Sequence, residues 1–408
     1  MPPKWSKARA VTAAGASSAA PRVTRLRSRV LGLETAPAGG DPGPLRKTRK
    51  RVPPEEKEEE GGSAKAAVDG GSPKIPAPAD TVIPCTCRRE PKDLRTARDV
   101  ASTPDKAMVK KAALSVVGIL ATKPDGKWTA LCSGIVVSWN ETTRLGTIVT
   151  SSHVVCLCGE LIDPIPKLLV HLPNKTIVEG RLLFFNAHYR ILLLEVLSDS
   201  PLHPANFGSN PEFGQEGFAL ARDDESSLFA RRGTVLWQEP PSYLNDMYRL
   251  CLSCEVAQCG TGRSVIDQHG DVIGMAFCYQ PNILPISILQ TCIGMWTKFS
   301  RIARPVLDME LRAFELLDVS HQEEHNIRDG FIVTLVYDDS IPASLDMSQG
   351  DIIVSYNGQY DFTLHKFEDF LLSLGWDLLA NADSSWKVGL ELEVYDPVTR
   401  TTRSITFT

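Results

Sequence analysis

A histidine at the end of a strand-like run and a glycine-rich turn are the features of this sequence from which its chemistry can be argued. His153 ends an apolar, β-branched run, and an imidazole can accept a proton near neutral pH. Thr261 lies between Gly260 and Gly262, in a turn whose glycines allow a close approach of the backbone to a neighbour. A threonine hydroxyl attacks only when a base takes its proton. Neither residue is decisive alone, since a histidine at a strand end is more often structural.

Cysteines offer a second chemistry. Cys259 is a tempting nucleophile because a thiol beside a histidine can ionise, but it lies two residues before Thr261, so its side chain should point elsewhere. Only one cysteine pair has the C-x2-C spacing of a zinc site, and it lies in a strand-like run. We therefore expect buried structural thiols and predict no metal or cofactor. The pairs considered are Cys85 with Cys87, Cys156 with Cys158, and Cys251 with Cys254.

Short β-branched segments bounded by turn residues predict the elements that must position these side chains. Their spacing indicates an all-β barrel or sandwich and not alternating strands and helices. An apolar run follows over residues 284–299. The predicted strands cover residues 113–120, 130–138, 146–150, 167–172, 177–185, 191–196, 217–221, 233–237, 250–256, 265–266 and 272–275.

A second pattern begins after Pro305. Residues 330–336 predict a strand, and Asn357-Gly358 is a signal for a type I′ turn. Thr363 is placed to cap a helix whose apolar residues fall at helical spacing and should pack on a sheet. Two further strands are predicted at residues 388–394 and 402–407. The helix face comprises Leu364, Phe367, Phe370, Leu371 and Leu374.

The N-terminal region is predicted to be disordered. Residues 1–54 hold 12 of the 44 basic residues but only two of the 49 acidic residues, so a basic tail precedes an acidic body. Residues 1–30 lack acids, as organellar transit peptides do, whereas the basic cluster at residues 46–51 favours the nucleus or cytoplasm. A solvated charged tail is the plain alternative. Residues 83–110 are interpreted as a tether, and no apolar run is long enough to span a membrane.

The order of these parts is that of a two-barrel trypsin-like protease, and the sequence resembles the HtrA/DegP (Do-like) family, specifically its plant members. Residues 150–155 read TSSHVV, against T-x-A-H-V-V in the family. Residues 190–196 read RILLLEV, against D-[IL]-A-L-L-x-V, and residues 259–266 read CGTGRSVI, against G-N-S-G-G-P-L-V. The resemblance covers about residues 111–408. It implies a mainly β fold, with a trypsin-like double β-barrel over 111–300, an α+β PDZ domain over 301–408, and a tail and tether over 1–110.

Carried over residue by residue, the resemblance implies a degenerate triad. His153 matches the general base, Arg190 occupies the acid position and Thr261 the nucleophile position. The oxyanion donors would be the backbone N–H groups of Cys259 and Thr261. Arg263 and Ser264 replace the last glycine and the proline of the motif. Replacing the anion that orients the base costs about 10⁴ in rate, and losing one oxyanion donor about 10²–10³.

Two nearby carboxylates, Glu160 and Asp163, do not occupy the acid position, so we do not expect them to rescue His153. The sequence therefore predicts an inactive protease homologue that binds proteins or peptides. An active serine-type endopeptidase with an atypical site is the alternative. A nuclear factor that contacts nucleic acid through the tail is a third hypothesis, although a nucleic-acid-binding fold is not indicated.

The resemblance places the peptide-binding loop of the PDZ domain at Leu307, Asp308 and Met309. PDZ domains add a peptide strand to a sheet edge and hold its terminal carboxylate with backbone N–H groups. Asp308 stands where the family has glycine, so it restricts the backbone and brings a negative charge to the incoming carboxylate. Internal-peptide binding, or packing of this loop on the barrel, are then the alternatives. The resemblance also implies that the chain could form homo-oligomers.

Overall fold

The computed structural model describes residues 93–408, apart from residues 127–128, 158, 239, 241–245, 255–259, 278–280, 318–319, 321, 324–326, 382–388 and 408. These residues belong to one compact unit, Val82–Thr408. The predictions for the tail at residues 1–82, and for Cys259, lie outside the described residues.

The first barrel closes from six antiparallel strands in the order β1-β2-β3-β8-β7-β6. Alternate residues of each strand point inward, and the valines, isoleucines and leucines at these positions form a buried core. A two-stranded hairpin, β4-β5, follows β3 and was not predicted from the sequence. The strands are β1 (Val116–Thr122), β2 (Thr129–Asn140), β3 (Leu145–Ser151), β4 (Cys156–Leu157), β5 (Glu160–Leu161), β6 (Lys167–His171), β7 (Ile177–Asn186) and β8 (Ile191–Leu197).

The second barrel also closes from six antiparallel strands, in the order β10-β11-β14-β13-β12-β9. Its strand β10 begins five residues earlier than predicted, because it pairs along its whole length with β9. Helix α3 (Ile286–Phe299) leaves this barrel directly after its last strand, so Ile286 to Leu289 are helical. The strands are β9 (Glu216–Arg222), β10 (Leu228–Leu236), β11 (Leu250–Leu252), β12 (Arg263–Ile266), β13 (Val272–Phe277) and β14 (Asn282–Pro285).

A five-stranded antiparallel sheet in sequential order, β15 to β19, forms the C-terminal part. Asn357 and Gly358 both have positive φ angles, 44° and 73°, which confirms the predicted type I′ turn. The helices are α4 (Ile341–Ser344) and α5 (Leu364–Ala380). The strands are β15 (Met309–Ala313), β16 (Phe331–Val336), β17 (Ile352–Tyr356), β18 (Leu390–Asp396) and β19 (Thr401–Phe407).

Helix α5 belongs to two cores at once. Phe367 and Leu371 are buried against the C-terminal sheet, as the sequence predicted for this face. Leu372 and Trp376 pack instead with α3 in a core shared with the barrels. Gly375 allows this packing, because a Cβ atom at this position would lie 2.0 Å from the carbonyl oxygen of Ala303. The helix therefore joins the C-terminal sheet to the barrel part.

Thr363 occupies the N-cap position of α5, but its side chain makes no capping hydrogen bond. Its hydroxyl donates to Asp361 instead, at 2.8 Å. The position predicted from the sequence was right and the predicted capping contact was wrong, because a nearer carboxylate competes for the hydroxyl.

The tether predicted over residues 83–110 contains two helices, α1 (Leu94–Asp99) and α2 (Thr103–Ala112). Asp93 and Ser102 cap their N-termini with side-chain hydrogen bonds. Asp93 also forms an ion pair with Arg231 of β10. These helices are polar, so hydrophobic periodicity did not reveal them, and the long-range ion pair cannot be read from local sequence. In the described part of the chain, no helix has both the length and the apolar character needed to cross a membrane.

Candidate functional site

The candidate site lies where the two barrels meet. β3 ends at Ser151, and His153 follows in a single 3-10 turn, Ser152–Val154. Its backbone N–H donates to Ser151 Oγ at 3.3 Å. The Ser152 N–H donates to the carbonyl of Arg190 at 2.9 Å, so the base strand and the residue at the acid position are joined by backbone. The structure thus brings His153 and Arg190 into one place, as the order of motifs implied.

Arg190 is held in a turn between β7 and β8 with a φ of 56°, a conformation that is uncommon for a side chain of this size. Its guanidinium forms an ion pair with a buried carboxylate. Nη2 lies 3.0 Å from Oδ2 of Asp246, a carboxylate that is 8% exposed and that also lies 3.4 Å from Nη2 of Arg249. Arg249 is fully buried beneath the ring of Phe277, whose centroid is 4.0 Å from its Cζ. The residue at the acid position is therefore one part of an Arg–Asp–Arg cluster.

The charge of Arg190 acts on His153. Burial lowers the pKa of His153 from its usual 6.5, and the nearby guanidinium of Arg190 lowers it further. In a working triad a carboxylate does the opposite, because it stabilises the imidazolium that forms when the base takes a proton. Both effects therefore disfavour the protonated form of the His153 imidazole.

Thr261 and Gly262 form the turn that leads into β12 of the second barrel and contacts the first barrel. Thr261 is 4% exposed, and its carbonyl accepts a hydrogen bond from the N–H of Ser133 at 2.9 Å. Gly262 has a φ of 79°, and a Cβ there would lie 2.5 Å from the Ser133 carbonyl oxygen and 2.8 Å from the Ser151 nitrogen. The turn is therefore packed onto the backbone of the first barrel, which explains why this position requires glycine.

Two residues that depart from the family motif follow on β12. Arg263 is 1% exposed and Ser264 is fully buried. Arg263 lies close enough to Cys254 for its charge to oppose the rise in thiol pKa that burial causes. Cysteines 132, 156, 251, 254 and 292 are all buried, as expected of structural thiols, and burial raises the pKa of Cys251, Cys254 and Cys292.

The two carboxylates weighed as substitutes for the acid, Glu160 and Asp163, are both exposed in the hairpin region after His153. The buried carboxylate nearest to the acid position is Asp246, which the sequence analysis did not single out and which lies 56 residues beyond Arg190. Among the described residues, no group of three or more histidines, cysteines and carboxylates could hold a metal ion.

The predicted peptide-binding residues lie in a different place. Leu307, Asp308 and Met309 line a groove with a cavity volume of about 250 Å³ between β15 and α5. Leu307 is buried, whereas Asp308 is exposed and has a φ of 49°, the left-handed conformation that glycine adopts freely. His188, Met247 and Tyr248 of the barrel part complete the groove wall.

A cluster centred on Glu368 of α5 lies behind this groove, and the sequence analysis missed it. Tyr189 donates from its hydroxyl to Glu368 Oε1 at 2.5 Å, and Arg304 Nη2 donates to Oε2 at 2.9 Å. Burial alone would raise the pKa of Glu368, but bonds from His188, Arg304 and Tyr189 lower it to about 2. One signal was present: Glu368 stands four residues after Leu364 and three before Leu371, on the apolar face of the predicted helix.

Comparisons with known proteins agree with this architecture. Residues 132–275 match the family model described as a trypsin-like peptidase domain. The solved structure of the HtrA-type protease AlgW with a tripeptide matches with a TM-score of 0.52 at 14% identity, covering 74% of this chain and 95% of that protein. A serine endoprotease from Yersinia pestis matches with a TM-score of 0.46 at 16% identity, covering 76% and 98%. No curated protein matches the sequence.

The likeness to AlgW shows a shared fold. It confirms the predicted fold class, since the chain has two closed six-stranded barrels and a C-terminal sheet domain consistent with PDZ. The plant type of the resemblance stays a prediction.

Proposed function

We propose that this chain, which carries a trypsin-like peptidase domain and has the fold of HtrA-type proteases, is a catalytically inactive homologue that binds proteins or peptides. In this proposal, residues 111–300 form the protease-like domain and residues 301–408 a PDZ domain. The observation that carries the proposal is Arg190, a cation at the acid position whose charge lowers the pKa of His153 and whose guanidinium pairs with Asp246.

The chemistry fails at two points. An imidazole without an orienting anion loses about 10⁴ in rate, and a guanidinium in place of that anion also disfavours the charged intermediate form of the base. Thr261 is buried and carries an extra methyl group on Cβ, which crowds attack on a carbonyl. The groove between β15 and α5 needs neither residue, so ligand binding is independent of catalysis.

A fluorescent casein assay on the full chain tests this proposal. We expect the wild type to release no more fluorescence than His153→Ala, with trypsin as the positive control for the substrate. Hydrolysis by the wild type that His153→Ala abolishes would overturn the inactive assignment.

An active serine-type endopeptidase is the second candidate, and Asp246 is the observation that favours it, because this buried carboxylate lies close to the acid position. Its Oδ2 lies 3.0 Å from Arg190 and 3.4 Å from Arg249, so two cations already share its charge. Casein hydrolysis by the wild type that Asp246→Asn abolishes would support this candidate. The double variant Arg190→Asp with Thr261→Ser tests the inactive assignment, because it should gain hydrolysis that the wild type lacks if only these two groups are missing.

A further inference from the structure

The groove beside β15 has the two features that an extended peptide needs. β15 is the first strand of its sheet and pairs only with β16 among the described residues, so its other edge is open to hydrogen bonding. The cavity of about 250 Å³ runs along this edge, with α5 on its far side. An added strand would place alternate side chains toward α5 and toward the outer rim.

The side of the groove that faces α5 is apolar. Leu307, Phe367 and Leu371 belong to the core of the C-terminal part and also line the cavity. Leu364 lies partly buried beside them, and Met247 approaches from the barrel part. This surface suits one apolar side chain of a bound segment.

The outer rim at the loop end of the groove is acidic. Asp308 is exposed, and its carbonyl accepts from the Tyr337 N–H at 3.1 Å, which fixes the loop against β16. Glu310 accepts a hydrogen bond from the Tyr337 hydroxyl at 3.1 Å. The two carboxylates thus lie together where the loop meets β15, at the end where the family resemblance would seat a terminal carboxylate.

The basic side chains that line the groove are Arg304, His188 and Arg312. Arg304 and His188 both face Glu368, whose carboxylate they share with Tyr189. Arg312 also lines the groove and follows Glu310 by two residues on β15, with a register shift between Glu310 and Leu311. The loop end of the groove thus carries the carboxylates of Asp308 and Glu310, whereas Arg304 is paired with Glu368.

We propose that this groove binds an internal, extended segment of a partner protein that presents a basic side chain next to an apolar one, and that it disfavours a free C-terminal carboxylate. The inference rests on the proposed function, since it names the ligand class of the same groove. The apolar side chain enters between β15 and α5, and the basic side chain lies outside, opposite Glu310.

Fluorescence polarisation with the full chain tests this inference. The probes are three labelled ten-residue peptides of one apolar sequence. One is blocked at both ends with lysine beside the central leucine, the second has glutamate in place of that lysine, and the third ends in a free carboxylate after the same leucine. We expect the lysine peptide to bind about three- to tenfold more tightly than the glutamate peptide. This preference should shrink at about 0.5 M salt, because salt screens the attraction between exposed charges.

Reversing the charge of Glu310 tests whether this residue causes the preference for the lysine peptide. Glu310→Lys should remove or invert the preference, whereas Glu393→Lys should leave it unchanged, because Glu393 is an exposed residue of β18 that does not line the groove. Tighter binding of the free-carboxylate peptide, or an unchanged preference in Glu310→Lys, would overturn the inference and leave a peptide-binding role standing. If no peptide binds and casein is cleaved, the proposed function itself fails.

Discussion

The junction between the two barrels and the junction between the barrels and the C-terminal sheet both bury polar groups, but in contrasting ways. At the first, the backbones of Thr261 and Gly262 pack against the first barrel, and the carboxylate of Asp246 lies between Arg190 and Arg249. At the second, a buried carboxylate, Glu368, is held by Tyr189 and Arg304. Catalysis requires a carboxylate that orients His153 at the first junction. In this chain the carboxylate held by several donors is Glu368, at the second junction.

This difference shows how the site can lose its chemistry while the fold persists. The Gly262 turn is retained by packing, because nothing larger fits against the Ser133 carbonyl. At the acid position, Arg190 is held instead by its ion pair with the buried carboxylate of Asp246. The turn thus keeps the backbone shape of a nucleophile loop, while the charge at the acid position is opposite to the one that catalysis requires.

The largest expected effect is at the second junction. Glu368→Ala leaves the partly buried Arg304 without its carboxylate and Tyr189 without its acceptor, and breaking a buried ion pair from one side costs about 3–5 kcal/mol. We expect the free energy of unfolding to fall by this amount, measured by urea denaturation followed by tryptophan fluorescence. Trp376 packs on Phe299 at this junction and reports on it.

Glu393→Ala is the matched control, because this glutamate is exposed and should change stability by less than about 0.5 kcal/mol. Equal effects of the two substitutions would mean that the charge at the second junction is not structural, and the contrast between the junctions would disappear.

Gly262→Ala tests the first junction. The new Cβ meets the Ser133 carbonyl oxygen and the Ser151 nitrogen in a backbone with positive φ, so we expect a loss of about 2–4 kcal/mol. Gly358→Ala provides the comparison, because its φ of 73° is similar to the 79° of Gly262 but no atom lies within 4 Å of its added Cβ. It should cost only about 1 kcal/mol. Similar losses for both variants would show that conformation, and not the barrel contact, fixes this turn.

The smallest expected effect is electrostatic. Arg190→Gln removes the nearby cation, so the pKa of His153 should rise toward 6.5 without reaching it, because burial still lowers it. The folded-state pKa lies below the unfolded value, so the contribution of His153 to stability falls as the pH drops below about 6.5. This loss should be shallower in the variant.

Proton NMR titration of the His153 ring measures the shift. Arg144→Gln is the control. Arg144 is an exposed partner of Asp199 and stands before the first residue of β3, whereas His153 follows the last one. A His153 pKa that Arg190→Gln does not change would remove the electrostatic argument against catalysis.

The sequence predicted the barrel strands approximately, three strands of the C-terminal sheet and the turn at Asn357, because short β-branched segments and glycine turns are local signals. It did not predict β15, whose first residue, Met309, was assigned to the peptide-binding loop. It also indicated that His153, Arg190 and Thr261 belong to one place. It did not predict that Arg190 pairs with Asp246 or that Tyr189 pairs with Glu368, since these partners are distant in sequence and no periodicity links them. Helices α1 and α2 were missed because they lack an apolar face.

The packing of Leu372 and Trp376 of helix α5 against α3 sets a limit on how this protein can be divided. Helix α5 completes a core on each of its sides, so a fragment that begins at residue 301 would carry Leu372, Trp376 and Leu379 into water. We expect such a fragment to aggregate unless these residues are made polar. The C-terminal sheet domain is thus not a transferable module, and gene fusions that recombine it with other proteins would need to carry the barrels along.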